Sequence, residues 1–363
     1  MSCCGGQDHH HDHEELTEED MAEMSHFKEI VESFQNYKTD ALSVVDLADK
    51  RTVTAVEINS ILVSAIVAES DGLFGHSDNG AEKQDPVPTA ERNISKVRST
   101  LKQFVREWAK EGEEERAATF TPLVEAVKRH LPLENIPSGG KRPFVVCPGS
   151  GLGRLPYELA KAGYDAQGNE FSYHMILGSH FILNSGHLDP ESVVIFPFCL
   201  NTCGSRSEKS RLRLIRIPDE IPSRTAGQMS MCAGEFVETY EKQGIGFADG
   251  LVTCFFIDTA KNIMLYIRTF AGMLREGGVW VNQGPLLYHY AEQNNEISIE
   301  LSWEEVRELM TEYFDIVEEK SDIHCMYSAN TESMTQTEYH CVFSVARRNS
   351  KPVEGFSNPV FID

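Results

Sequence analysis

Three stretches of this 363-residue chain bring together residue types that do chemistry. In "VVCPGSGLGRLPYELAKAGYDAQGNE", glycines recur at Gly149, Gly151 and Gly153 after an apolar run, and Glu170 closes a second short run. "LVTCFFID" is apolar up to Asp258, and "VWVNQGPLLYHY" places His289 after another apolar run. A strand, a glycine turn and a helix present backbone N–H groups to a nucleotide-like ligand. A carboxylate about twenty residues further on accepts ribose hydroxyl hydrogens. Asp258 and His289 fall at strand ends, where ligands bind in open α/β sheets. Asp258 also suits a helix cap before "TAKN", and a lone histidine is often structural. Two adjacent strand ends supplying both groups favour a site over either bland role.

The glycine spacing narrows the cofactor. The dinucleotide fingerprint is G-x-G-x-x-G, whereas this loop is G-S-G-L-G, its third glycine one residue early. That spacing disfavours a pyrophosphate and leaves NAD as the runner-up. Three features turn the reading to S-adenosylmethionine. "MLREGGVWV" is a helix–Gly-Gly–strand unit, "MCAGEF" offers Glu235 and Phe236 to an adenine ring, and "FDIVEEKSD" with "HCVFSVARR" suits a closing antiparallel pair. No metal site is assigned; "HHHDH" near the N-terminus could capture a stray ion, though a solvated tail is the simpler reading.

The elements that must hold these residues follow from periodicity. Strands are expected at 144–147, around 165–170, at 192–198, 250–258 and 279–285, with helices between them and the closing pair behind. A helix is expected to run from "TAKNIMLYIRTF" to a stop at Gly277-Gly278. Alternating strands and helices give an α/β, mostly parallel sheet covered on both faces. Residues 17–135 read as a helical N-terminal region. Its clearest helix spans Glu91 to about Ala118, with Ile94, Val97, Leu101, Phe104, Val105 and Trp108 on one stripe and Gln103 and Arg106 on the polar side. Residues 1–16 read as an acidic, His-rich disordered tail, 70–88 as a loop, 201–211 as a mobile loop, 140–350 as the cofactor-binding domain and 351–363 as a C-terminal tail. Arg211, Arg213 and Arg216 suggest an exposed strand edge, and Tyr288, Trp280 and Trp303 suggest packing.

Composition limits the function classes. The net charge is −23, and residues 1–20 carry Asp8, Asp12, Glu14, Glu15, Glu18, Glu19 and Asp20 with no Lys or Arg. Such a chain is a poor partner for nucleic acid, which requires concentrated cations. Nine cysteines without repeated spacing, no signal-like leader and no apolar run long enough to cross a bilayer predict reduced thiols in the cytoplasm, and in the nucleus as a second location. The Asn93-Ile-Ser95 sequon is then without use, and no membrane association is expected.

"STLKQFVREW", "CPGSGLGRLPYELAKAGYDAQGNEFS", "VTCFFIDTAKNI" and "GPLLYHY" resemble the carnosine N-methyltransferase family over residues 90–348. The resemblance implies a Rossmann-like class I methyltransferase fold: a seven-stranded, mostly parallel sheet with an antiparallel last strand plus the helical N-terminal region. It implies methyl transfer from S-adenosylmethionine to the pros (Nπ) ring nitrogen of the histidine in carnosine, giving anserine. By motif, Gln103, Arg106, Gly149, Gly151, Glu170, Glu235, Phe236 and Cys254 would hold the cofactor, with the helix of Gln103 and Arg106 as a lid over the glycine loop. Asp258, His289, Tyr327 and Tyr339 would hold the substrate, and Asp258 and His289 would also be catalytic. The chain departs from the family at Gln336, Thr337 and Glu338, where aromatics are more usual, which touches the pocket's outer wall.

Two alternatives remain open at the level of sequence. One is methylation of a histidine in a protein; the other is a cofactor-binding regulator without turnover, which intact Asp258 and His289 disfavour. The expected partner is a small His-containing peptide, and a homodimer is among the expected assemblies.

Overall fold

The computed structural model describes residues 17–46, 49–70, 90–135, 140–222, 225–291 and 297–353. The expectations for residues 1–16, for most of 70–88 and for residues beyond 353 lie outside them. In chain order the strands are β1 (Phe144–Pro148), β2 (Asp165–Glu170), β3 (Val193–Ile195), β4 (Ile215–Ile217), β5 (Met229–Ala233), β6 (Ala248–Cys254), β7 (Leu274–Gly284), β8 (Phe314–Met326) and β9 (Glu338–Arg348). The helices are α1 (Glu18–Gln35), α2 (Tyr37–Ser43), α3 (Lys50–Ser70), α4 (Ala90–Trp108), α5 (Glu113–His130), α6 (Arg154–Lys161), α7 (Tyr173–Asn184), α8 (Glu208–Arg211), α9 (Phe236–Glu241), α10 (Ile263–Met273) and α11 (Trp303–Met310).

Seven strands form one sheet in the order β5-β2-β1-β6-β7-β9-β8. All pairs from β5 to β7 are parallel, and β9 runs antiparallel to both neighbours. The centre is built from runs such as "FVVCP" and "ADGLVTC", whose residues are buried on both faces, as strands covered by helices require. The carboxyl ends of β1, β2, β6 and β7 therefore meet at one edge, where Gly149, Glu170, Cys254 and Gly284 fall.

Several expectations change. The run 192–198 supplies no strand to the main sheet: Val193–Ile195 pairs antiparallel with Ile215–Ile217 in a separate ribbon, and the edge strand beside β2 is Met229–Ala233. The helix expected to stop at Gly277 ends at Met273, and both glycines lie in β7. The long helix from Glu91 breaks after Trp108. A methyl group on Gly112 would overlap the carbonyls of Val105 and Arg106, so the tight turn into α5 needs a glycine. Residues 208–211 are a short capped helix, and Arg211 reaches back to the Cys199 carbonyl, Thr52 and Asp49 rather than lining a strand edge.

The 21-residue helix α3 is long and apolar enough to cross a membrane, contrary to the sequence reading. Its Ala55, Val56, Leu62, Val63 and Ile66 are buried in one core with α1, α4, α7 and the β3–β4 ribbon. A core helix passes the same length and hydropathy test.

Candidate active site

The glycine loop leaves β1 in a sharp turn, with Gly149 at φ 65° and Gly151 at φ 56°. A methyl group at 149 would sit 2.6 Å from the Phe256 ring, and one at 151 would overlap the Glu107 carboxylate. Both positions thus exclude side chains by backbone conformation and by space. The Glu170 carboxylate at the end of β2 accepts the Gly151 N–H and the Ser172 N–H, each at 2.8 Å. Burial nevertheless pushes its pKa up to about 7 against the pull of these donors.

The helix α4 is clamped onto this loop. Its buried Glu107 accepts the N–H of Leu152 at 3.1 Å and of Arg154 at 3.0 Å, the start of α6, and the Gln103 side-chain amide at 2.6 Å. Trp108 donates from its indole to the Leu152 carbonyl at 3.1 Å, and Arg154 donates to the Glu107 carbonyl at 2.9 Å. Gln103 and Arg106 are therefore not on a solvent face: they are 5% and 4% exposed. In this structure the expected lid lies closed on the glycine loop, held there by these bonds.

Arg106 occupies an aromatic enclosure. Its guanidinium lies 4.5 Å from the Tyr327 ring centroid, 4.8 Å from that of Phe120 and 5.8 Å from that of Phe255. Glu115 is 3.5 Å from its Nε and Cys254 Sγ is 4.0 Å from Nη2. Burial works against the charge, yet Tyr327, Cys254 and the acidic neighbours outweigh it, so the group stays a cation. Its Nε makes no hydrogen bond among the described residues.

Next to this cation, Phe255 adopts φ 52° and donates its N–H to the Gln283 carbonyl at 2.9 Å, bending the chain off β6. Its ring contacts Tyr327 at 5.1 Å and Tyr339 at 5.5 Å between centroids, which brings the two tyrosines to one place. Glu115 fixes the segment after Tyr327 by accepting the N–H groups of Ser328 and Ala329 at 2.8 and 2.7 Å, and the Ser328 hydroxyl donates to Gln103.

Asp258 is 2% exposed. One carboxylate oxygen accepts the Leu287 N–H at 2.8 Å, and its carbonyl accepts the His289 N–H at 3.0 Å. The other oxygen, Oδ1, is buried and has no hydrogen-bond partner among the described residues. Burial raises its pKa, opposed by the Leu287 N–H and the nearby His289. His289 itself is exposed at the rim, held by Tyr288, whose hydroxyl bonds both backbone groups of Leu301. Asp258 is thus more than a cap: the next helix is capped by Asn262, which accepts the N–H groups of Met264 and Leu265.

Two predicted cofactor contacts are placed differently. Phe236 is buried among Tyr240, Phe256, Tyr266 and Phe270, so its ring backs Phe256 beneath the glycine loop instead of facing the cleft. The Glu235 carboxylate caps α9 by accepting the Glu238 N–H at 2.9 Å. Glu107, Glu115 and Phe255 were not singled out from the sequence; Glu107 adjoins Arg106 in "LKQFVREW", the one signal that could have found it. A cavity of about 560 Å³ lies at the outer edge between β5, α6 and α7, lined by Ile176, Leu183, Met229 and Met231, and no predicted site residue lines it.

A sheet with β9 inserted antiparallel, a G-x-G-x-G loop after β1 and an acid ending β2 define a class I S-adenosylmethionine-dependent methyltransferase. The chain belongs to the carnosine N-methyltransferase family, whose model matches residues 83–350, and it is an S-adenosylmethionine-dependent N-methyltransferase. It is 32% identical over 356 residues to the carnosine N-methyltransferase of Rattus norvegicus, covering 91% of this chain and 88% of the relative. It is 35% identical over 307 residues to that of Schizosaccharomyces pombe, covering 80% of each. With that of Dictyostelium discoideum it shares 32% over 370 residues, 91% of this chain and 78% of the relative.

Proposed function

We propose that the chain methylates an imidazole nitrogen of the histidine in carnosine or a related His-containing dipeptide, giving anserine from carnosine. The observation that carries this reading is Asp258 Oδ1, a buried acceptor without a donor among the described residues, beside His289 and two residues after Phe256, whose ring packs against Gly149. An imidazole N–H satisfies it.

The residues present fit the cofactor. Glu170 ends β2 as a ribose acceptor, Gly149 and Gly151 leave the backbone bare, and the buried Arg106 guanidinium is a cation suited to a carboxylate. Bound S-adenosylmethionine supplies a methyl group already activated on a sulfonium. The protein's task is then orientation. Imidazole is mostly neutral above its ordinary pKa of about 6.5. Asp258 accepts the N–H of one ring nitrogen, which fixes the tautomer and leaves the lone pair of the other, the pros nitrogen, as nucleophile. The same carboxylate, with His289, stabilises positive charge as it grows on the ring. Tyr327, Tyr339 and Phe255 form the wall against which the ring lies.

The test is incubation with labelled S-adenosylmethionine and carnosine, other histidine dipeptides and whole-cell protein, with chromatographic separation of the methylhistidine isomers. Label in the pros isomer of a dipeptide is the expected result. Label only in protein would change the substrate, and absence of label from every histidine would overturn the reading.

A further inference from the structure

The outer pair β8–β9 carries a side-chain cluster that methyl transfer does not use. His324 and His340 stand directly opposite in the ladder, their ring centroids 4.3 Å apart. The register slips between Lys320 and Ile323, and Asp322 takes φ 61° in that bulge. The bulge turns the Asp322 carboxylate onto the histidine pair: Oδ1 is 2.5 Å from His340 Nδ1 and 3.9 Å from His324 Nε2. Glu338 Oε2 is 3.1 Å from the other nitrogen of His324. All four side chains are exposed to solvent.

We propose that Asp322, His324 and His340 bind one divalent ion of the zinc type. The three ligand atoms already lie within 4.8 Å of one another. Ligands around a tetrahedral zinc ion, each at about 2.0–2.1 Å, are roughly 3.3 Å apart. The observed spacings straddle that value, and exposed rotamers can supply the remaining adjustment. Two imidazoles and a carboxylate suit zinc-like ions over calcium or magnesium. Glu338 is an outer-shell carboxylate: it accepts the His324 Nδ1–H, fixes that ring and leaves Nε2 free to ligate. A simple Asp322–His340 ion pair would need neither the second histidine nor Glu338. The fourth position faces water. His340 adjoins Tyr339, so the ion would tie β8 to β9 beside the rung that carries a substrate-wall residue.

The test is titration of zinc, and of cobalt as its visible counterpart, into the full-length chain with His9, His10, His11 and His13 replaced by alanine, which removes the competing N-terminal histidines. One ion per chain and a zinc-dependent rise in Tm are expected. His324→Ala with His340→Ala should weaken binding at least tenfold and abolish the Tm rise. Unchanged circular dichroism and metal-free Tm would show that this variant is folded. Glu338→Gln should weaken binding about tenfold. No ion bound by the parent, or undiminished binding in the double variant, would overturn the site; unaltered binding in Glu338→Gln would remove Glu338 from it.

Discussion

Glu107 and Leu152 are 45 residues apart in sequence, and the carboxylate of the first accepts the backbone N–H of the second at 3.1 Å. This bond joins a helix of the N-terminal region to the turn that receives the methyl donor. Glu107→Ala leaves the N–H groups of Leu152 and Arg154 and the Gln103 amide without their acceptor. A buried unsatisfied polar group costs about 1–3 kcal/mol, so the variant should lose roughly 3 kcal/mol or more. Denaturant unfolding measures this; a loss under about 1 kcal/mol would show that the clamp contributes little.

Gly151→Ala should strike both the loop and the clamp. A left-handed non-glycine residue costs about 1–2 kcal/mol before any overlap with Glu107 is counted. Calorimetry with S-adenosylhomocysteine should show at least tenfold weaker binding. Near-normal affinity would mean that the loop can move away from α4.

The raised pKa of Glu170 has a definite sign. The unfolded carboxyl titrates near 4.5 and the folded one near 7. Its proton-linked stabilisation is complete below about 4.5 and is lost as pH rises through about 7. Stability of the cofactor-free protein should therefore fall across that window by on the order of 2 kcal/mol more than that of Glu170→Gln, allowing for partial solvent screening. Cofactor affinity should run the opposite way, rising toward pH 7 and then levelling, because the ionised carboxylate is the better hydroxyl acceptor. Matching pH curves for the two proteins would contradict this.

Asp258→Ala should lower kcat/KM for the methyl acceptor about 10²–10³-fold and leave cofactor affinity intact, the loss expected when one preorganised charge partner is removed. His289→Ala, at the exposed rim, should cost less. Steady-state kinetics alongside calorimetry separates the two effects; equal loss of cofactor binding would move Asp258 to the donor side.

The position of these residues at the strand ends was legible from sequence because it is local. Gly149, Gly151, Asp258 and His289 follow apolar runs, Glu170 closes a short strand of more polar residues, and strand ends of an α/β sheet converge. The burial of Gln103 and Arg106 was not legible, since their helix presents its polar side to the following helix α5 and to two partners distant in the chain, the glycine loop and the segment after Tyr327. Helical periodicity reports which side is polar but not what covers it. Phe236 misled because a lone aromatic after an acid fits an adenine wall and a core equally well, and four further aromatic rings decide for the core. The run 192–198 was apolar enough for a strand, but it pairs antiparallel with 215–217 instead, and Met229–Ala233 takes the place beside β2. The bulge at Asp322 leaves no trace in residue types, so nothing in the sequence brings Asp322 together with His324 and His340.

The strand β9 lies inside the sheet, between β7 and β8, yet it ends only at Arg348. A growing polypeptide can assemble the donor loop and its clamp well before this strand is made. Until then β7 keeps an open edge, β8 has no neighbour to pair with, and Tyr339 has not yet been joined to Phe255. Tyr339 therefore meets Phe255 only after the glycine loop and α4 have been made. A chain ending before residue 338 would leave β7 with an unpaired edge and β8 without a neighbour, and is expected to lose methyl transfer altogether.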